Sequence, residues 1–338
     1  MTRRACAWLL VMCGIALPVH ALTDAETVEL AKQAANGAAN AMQTLERLAQ
    51  GGETLAEHFM GVLHIGGKGL PQSDAQAADW FLRAAKKGHL ESMHNLAVIH
   101  ERSTGTLQDL QSARGWYLAA AEQGYARSQA RLGEMIAGGL AGPADRDDAR
   151  GWIEKAAAQN EPRGQYLLGM MRLDGGPGVE YNVAEAARLL GLAAEARERD
   201  AQYELALLYG TGTGVPRDEA KALDWLRKSA AQGQMKAQYY LGGVYAGGRY
   251  GVERDPKVAV EWLRKSALQG YGDAEYALGL AYLEGRGIKQ DPNEAFGWLR
   301  RAARHGNTEA IEVVRKIEAR LKPAAAPSPP QAGAPPRQ

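Results

Sequence analysis

Histidine is the side chain in this sequence best placed to do chemistry near neutral pH, because its ring titrates there. His58 and His94 lie 36 residues apart, as do His64 and His100, so two positions recur in successive segments. Such a recurrence is what a metal site or a pH-sensitive site would need. Two geometric facts argue for packing instead. His58 and His64 are six residues apart, which sets them on different faces of a helix. Equivalent residues on stacked helices stand about 9–10 Å apart, too far to share one ion. Later segments carry Tyr166, Tyr203, Tyr239 and Tyr276 at the first position, and Tyr209, Tyr245 and Tyr282 at the second. The imidazoles therefore read as half-buried rings standing in for tyrosine, and no metal is expected.

Other reactive groupings are sparse. No serine is followed three residues later by lysine, the pairing that a Ser-x-x-Lys acylating enzyme requires. Gly212-Thr213-Gly214 and Gly285-Arg286-Gly287 echo phosphate-binding loops, but no third glycine follows at the right spacing and no strand precedes them. No catalytic group and no cofactor is expected.

The two cysteines, Cys6 and Cys13, fall in the first 21 residues. There Arg3 and Arg4 precede an apolar stretch from Ala5 to Ala16, and Pro18 leads into Val19-His20-Ala21, the small-residue pattern of a cleavage site. Residues 1–21 therefore read as a signal peptide. A lipidation box ending at Cys13 is the weaker reading, because Met12 is too large for the position before the cysteine. The chain is expected to be exported, most simply to the periplasm, with secretion beyond it as the alternative. After removal of 1–21 no cysteine remains, which excludes disulfides and thiolate chemistry. No later stretch reaches the 18 apolar residues of a membrane span. Charge is balanced, which argues against a nucleic-acid partner, although residues 297–338 carry eight basic and three acidic side chains.

The elements that position these residues are set by a repeat. Trp80, Trp116, Trp152, Trp225, Trp262 and Trp298 follow one another with Leu189 in the one vacant slot, at steps of 36 or 37 residues. Eight residues after each comes a terminator: Gly88, Gly124, Asn160, Arg197, Gly233, Gly270 and Gly306. Each period reads as two helices. Asp273 to Tyr282 form the first, and Gly285-Arg286-Gly287-Ile288 a turn. The second opens at Asp291-Pro292-Asn293-Glu294, an N-cap, a proline at the first helical position and a glutamate placed for a capping box. Its apolar stripe runs through Ala295, Trp298, Leu299 and Ala302. One such pair cannot bury its own apolar face, so neighbours must supply the missing wall. The tryptophan is expected to be the wedge between repeats, costing about 3–5 kcal/mol on truncation to alanine. Gly61, Gly133, Gly169, Gly242 and Gly279 are expected to let paired helices approach closely.

This pattern, Ala-x-Tyr-x-Leu-Gly-x-x-Tyr, Gly-x-Gly-Val, Asp, Ala-x-x-Trp and Ala-Ala-x-x-Gly, resembles the Sel-one-like repeat family, a relative of the tetratricopeptide repeats. The fifth period carries it through Ala201, Tyr203, Leu205, Tyr209, Gly212, Gly214, Val215, Asp218, Ala222, Trp225, Ala230 and Gly233. The resemblance implies an all-α fold, a right-handed α/α superhelical solenoid of about seven 36-residue helix-turn-helix repeats. Its expected boundaries are 53–89, 90–125, 126–161, 162–197, 198–234, 235–271 and 272–307, behind N-terminal capping helices at 22–52. A C-terminal capping helix is expected at 308–322, amphipathic through Ile311, Val314, Ile317 and Leu321. Residues 323–338 hold six prolines and read as a disordered tail. Ser103-Thr104-Gly105, Gly139-Leu140-Ala141-Gly142 and Arg197 depart from the pattern, and predict altered turns in repeats two to four.

In related helical solenoids the first helix of each repeat lines the concave surface. The resemblance then points His58, His94, Ala130, Tyr166, Tyr203, Tyr239 and Tyr276 into a groove, a column of amphipathic rings suited to a protein or peptide partner in the cell envelope. A consensus packing role for the same rings is the competing reading. The expected function is an exported interaction scaffold. Two alternatives are a β-lactam- or peptidoglycan-directed hydrolase, as some exported relatives suggest, and a glycan-binding accessory of polysaccharide export.

Overall fold

The computed structural model describes residues 22–102, 109–176 and 178–321. Residues 1–21, expected to be a signal peptide, the Ser103-Thr104-Gly105 departure and the proline-rich segment 323–338 lie outside them. Among the described residues the chain is all α-helix, apart from one isolated bridge between Gly176 and Val179. It divides into two compact units, Met1–Gly164 and Gln165–Gln338.

In the first unit α1 (Asp24–Ala35), α2 (Ala39–Gln50), α3 (Thr54–Gly66), α4 (Asp74–Lys86), α5 (Leu90–Arg102), α6 (Leu110–Glu122), α7 (Ala126–Ala137) and α8 (Arg146–Ala158) pack in chain order. Helix α9 (Pro162–Asp174) begins at the unit's edge and continues into the second. There α10 (Val183–Glu195), α11 (Arg199–Thr211), α12 (Glu219–Ala231), α13 (Met235–Gly247), α14 (Pro256–Leu268), α15 (Gly272–Glu284), α16 (Pro292–Arg304) and α17 (Thr308–Leu321) again pack in order. This is an all-α solenoid fold. From α3 onward, odd-numbered helices lead each repeat and even-numbered ones trail.

The trailing helices start where capping residues stand. Asp109, Asp145, Asp218, Asp255, Asp291, Ser73 and Asn182 all accept backbone N–H groups of the first turn through their side chains. For Asp291 the donors are Asn293 at 3.0 Å and Glu294 at 3.1 Å. The reciprocal arm of a capping box does not form there, and the reason is visible. The Asp291 N–H donates instead to the Tyr282 carbonyl at 3.0 Å. Ser73, Asp109, Asn182, Asp218 and Asp255 do the same toward His64, His100, Arg172, Tyr209 and Tyr245. The cap thus ties the trailing helix to the leading one. The full capping box lies elsewhere, between Thr23 and Glu26 at the start of α1.

Handover between repeats needs a left-handed residue. All seven terminators adopt it, including Asn160 at φ 59° and Arg197 at φ 68°, where a side chain must tolerate what glycine takes freely. The Gly-x-Gly turns serve close approach rather than phosphate. A methyl group at Gly287 would lie 2.0 Å from the Pro256 carbonyl oxygen.

The expected wedge has a buried neighbour. The six tryptophans are half-buried and Leu189 in the seventh slot is buried, while the residue after each of the seven is buried: Phe81, Tyr117, Ile153, Leu190, Leu226, Leu263 and Leu299. Each meets the small residue of its leading helix. A Cβ at Gly61 would stand 2.6 Å from Phe81, and one at Gly242 would stand 2.9 Å from Leu263. Five tryptophans instead hold a cation over their outer face, as with Lys228 at 4.0 Å from Trp225 and Arg301 at 4.5 Å from Trp298. The N-terminal segment 22–52 holds two helices. Linkers of only three residues join α1 to α2 and α2 to α3, and α1 also packs on α3. In α17 the buried stripe is Ala310 and Val314, with Ile311 exposed.

Thermal denaturation tests this packing. Leu226→Ala is expected to cost about 2–5 kcal/mol and Gly242→Ala about 1–3 kcal/mol by overpacking. Ala206→Gly, at the matching position of the fifth repeat, should cost about 1 kcal/mol. A Trp225→Ala variant melting well below Leu226→Ala would return the wedge to tryptophan.

Candidate functional site

His58 and His94 are held by the next repeat. His58 is 3% exposed, and its Nδ1 lies 2.9 Å from Ser92 Oγ, as does Nδ1 of His89. The Ser92 N–H also donates to His89 Nδ1, so that nitrogen is an acceptor. One proton arrangement satisfies all three contacts: His58 Nδ1–H donates to Ser92 Oγ, whose hydroxyl donates to His89. His94 repeats the theme, with Nδ1 3.0 Å from Ser128 Oγ and its ring against Tyr117 and Tyr125. Burial lowers both rings to about 4; His89 adds to this for His58, and Arg127 and Arg131 for His94.

The serine–histidine pairs look catalytic on paper. Ser92 and Ser128 are, however, completely buried, so no acyl substrate can reach either oxygen. Among the described residues no group of three or more His, Cys, Asp or Glu is placed to hold a metal. The second histidine position is structural as well. His64 is buried with Nδ1 3.3 Å from the Pro71 carbonyl, while Tyr245 and Tyr282 accept from Arg227 at 2.9 Å and Arg264 at 2.7 Å.

The tyrosine column is not one exposed ladder. Tyr203 is 5% exposed and Ala130 is fully buried. Tyr166 packs on the core of its own unit, and it, His94, Tyr239 and Tyr276 are half-buried. His58 and Tyr203 are therefore corrected from groove-lining to packing residues, since so little of either ring meets solvent. What the structure assembles instead crosses three leading helices. Tyr203 on α11 meets Tyr240 on α13 at 5.6 Å between ring centres, Tyr240 meets Tyr239 at 5.8 Å, and Tyr239 meets Tyr271 at the start of α15 at 5.4 Å. Tyr240 is 40% exposed. Burial leads in raising the hydroxyls of Tyr203, Tyr239 and Tyr271, so all stay neutral donors.

Tyr240 and Tyr271 escaped the column argument. Tyr240 sits one residue past it, on the side of α13 toward the preceding repeat. Tyr271 follows the terminator Gly270, where His89 and Tyr125 stand in other repeats. The signal was there: each of those three follows a terminator and stacks on a ring of the column.

Another recurring polar column lies beneath. Buried Gln129, Gln202 and Gln238 each donate Nε2 to the last turn of the preceding trailing helix, at Ala121, Ala194 and Ala230. Each accepts at Oε1 from Gln159, Gln232 or Gln269 at 2.8 Å. In the first and last repeats a buried glutamate takes this place: Glu57 pairs with Lys87 at 2.7 Å, and Glu275 with Arg301 at 3.1 Å and His305 at 2.6 Å.

Helix pairs of this length, in this register, with this polar spine, coincide with a known repeat. The Sel1 repeat model matches residues 54–89, 90–125, 126–161, 162–197, 199–234, 236–271 and 272–307. The chain belongs to the Sel1 repeat family. Among solved structures it is similar to a Sel1 repeat protein from Oxalobacter formigenes, at 30% identity and TM-score 0.59, over 87% of this chain and 86% of that one. It is also similar to c5321, described as a protective antigen present in uropathogenic Escherichia coli strains displaying an SLR fold, at 32% identity and TM-score 0.57. That match covers 88% of this chain and 65% of that one, so the chain spans about two thirds of the length of c5321. No curated protein matches the sequence. Sel1 repeat proteins are generally protein-interaction scaffolds, and no helix among the described residues is long and apolar enough to cross a membrane.

The depressed histidines make a pH prediction for this Sel1 repeat protein. Each ring binds its proton less tightly when folded, so its contribution is whole above the ordinary value of 6.5 and is lost as pH falls toward about 4. Between those limits each ring costs up to about 1.4 kcal/mol per pH unit. The melting temperature should drop from pH 7 to pH 5, and His94→Gln should flatten that drop. An equal slope in the variant would show that His94 titrates normally.

Proposed function

We propose that the protein is an exported interaction scaffold of the bacterial envelope, and that it holds a protein partner on the leading-helix face of its last three repeats. The observation that carries this reading is the run of rings Tyr240, Tyr239 and Tyr271, backed by the buried Tyr203, with Tyr240 open to solvent. Tyrosine supplies contact area at small entropic cost and keeps a hydroxyl for hydrogen bonding. Binding is the common occupation of the family, and the buried Ser92 and Ser128 offer no alternative chemistry. Export is supported by Arg3, Arg4 and the small-residue exit at Val19-His20-Ala21. The periplasm is the simplest destination for a chain with no cysteine after residue 21.

Two measurements test the proposal. N-terminal sequencing of protein recovered outside the cytoplasm should begin at Leu22; an intact Met1 in that fraction would remove the export reading. Affinity capture from native envelopes should recover a stoichiometric protein with the parent chain and lose it with Tyr240→Ala plus Tyr271→Ala. Identical recovery by both baits overturns the face assignment. Retention of a polysaccharide in place of a protein would favour a glycan-binding accessory.

A further inference from the structure

The aromatic face of the second unit is set among carboxylates. At the Tyr203 end, Glu204 on α11 is half-buried and faces Asp200 and Asp174. At the other end Asp273 and Glu309 both face Tyr239, and Asp273 also lies beside Tyr271. The cations present are fewer. Lys236 faces Glu204, Arg249 faces Tyr239, and Arg199 lies 4.0 Å from Asp200. Asp273 accepts a side-chain hydrogen bond from the neutral Asn307 amide at 2.8 Å. Burial, with Asp200 and Asp174 adding to it, holds the Glu204 carboxyl above the usual range against the pull of Lys236.

The leading helices of the first unit show the contrast. There Glu101 pairs with Arg131, and Glu134 with both Arg131 and Arg163. Carboxylates on that face are matched by guanidinium groups of the chain itself. On α11, α13 and α15 the rings are flanked by an excess of acid, next to apolar surface that includes Met235 at 38% exposed.

Resting on the reading of this face as the partner site, we propose that what it binds is an extended peptide segment carrying lysine or arginine. Such a segment meets three complementary features at once. Its cations stand over tyrosine faces, where a desolvated contact is favourable. They also neutralise carboxylates that the fold leaves in excess. Its apolar stems lie along the rings, as long basic side chains do on aromatic surface. An acidic segment would meet repulsion at both ends of the run.

Fluorescence anisotropy with the full chain and three labelled probes tests this: a Lys/Pro peptide, its Glu/Pro counterpart and its Ser/Pro counterpart. The Lys/Pro peptide should bind most tightly and weaken as salt is raised through the physiological range. Glu204→Gln with Asp273→Asn should weaken it roughly tenfold, and Tyr240→Ala should weaken it too. Equal binding of the Ser/Pro or Glu/Pro peptide, or an unchanged affinity in the Gln/Asn variant, overturns the charge proposal. Two failures are distinguishable. Envelope capture that depends on Tyr240 but not on Glu204 and Asp273 leaves the face in place and removes only the charge. Capture that survives Tyr240→Ala removes the face itself.

Discussion

Everything in each unit depends on how closely a leading and a trailing helix can approach. The contact is one buried side chain, from Phe81 to Leu299, lodged against glycine or alanine on the facing helix. At Gly61, Gly133, Gly169, Gly242 and Gly279 no Cβ is present to hold the helices apart, and at Ala97 and Ala206 only a methyl group intervenes. This makes the apolar contact large for short helices of 12 or 13 residues, which could not fold alone. Tryptophan is set beside this contact, not in it. Its outer face is left to a lysine or arginine one turn on, so it acts as a lid over the seam.

Close packing of that kind strands polar groups at the helix ends, and the repeats answer with side chains. The last turn of a trailing helix would leave carbonyls unmet. Gln129, Gln202 and Gln238 reach them from the next leading helix and are themselves fixed by a second glutamine. The capping aspartates use both ends of the same residue: the side chain satisfies the trailing helix, and the N–H satisfies the leading one. Amide donors and acceptors suit interior repeats because they need no counter-charge. Glu57 and Glu275, in the first and last repeats, require Lys87 or the Arg301–His305 pair to be buried at all.

Much of this was legible in the sequence, and the limits have physical causes. Period, helix pairing and terminators could be read because each rests on local chemistry: a capping aspartate, a left-handed glycine, an apolar stripe. Even Asn160 and Arg197 hold the left-handed turn, since the register of the stack outweighs their preference. The buried position beside each tryptophan was missed because tryptophan is the more conspicuous residue, while that position varies among Phe, Tyr, Ile and Leu. The ring column was only half read. Spacing identifies equivalent positions but not their depth, and Tyr203 and Tyr239 occupy the same position at different exposure. Depth is set by the neighbours, and Tyr240 and Tyr271 are neighbours that no single-column count includes.

The same scaffold therefore supports two kinds of surface. Where Glu101, Arg131, Glu134 and Arg163 answer one another, charge is spent on joining leading helices, and little field remains for a partner. Where Tyr203, Tyr239, Tyr240 and Tyr271 do the joining, the ring contacts carry no net charge. Neutral rings can hold helices together as well as ion pairs can, because their contribution is burial and edge-to-face contact. In this protein ion pairs join leading helices of the first unit, and tyrosine rings join those of the second.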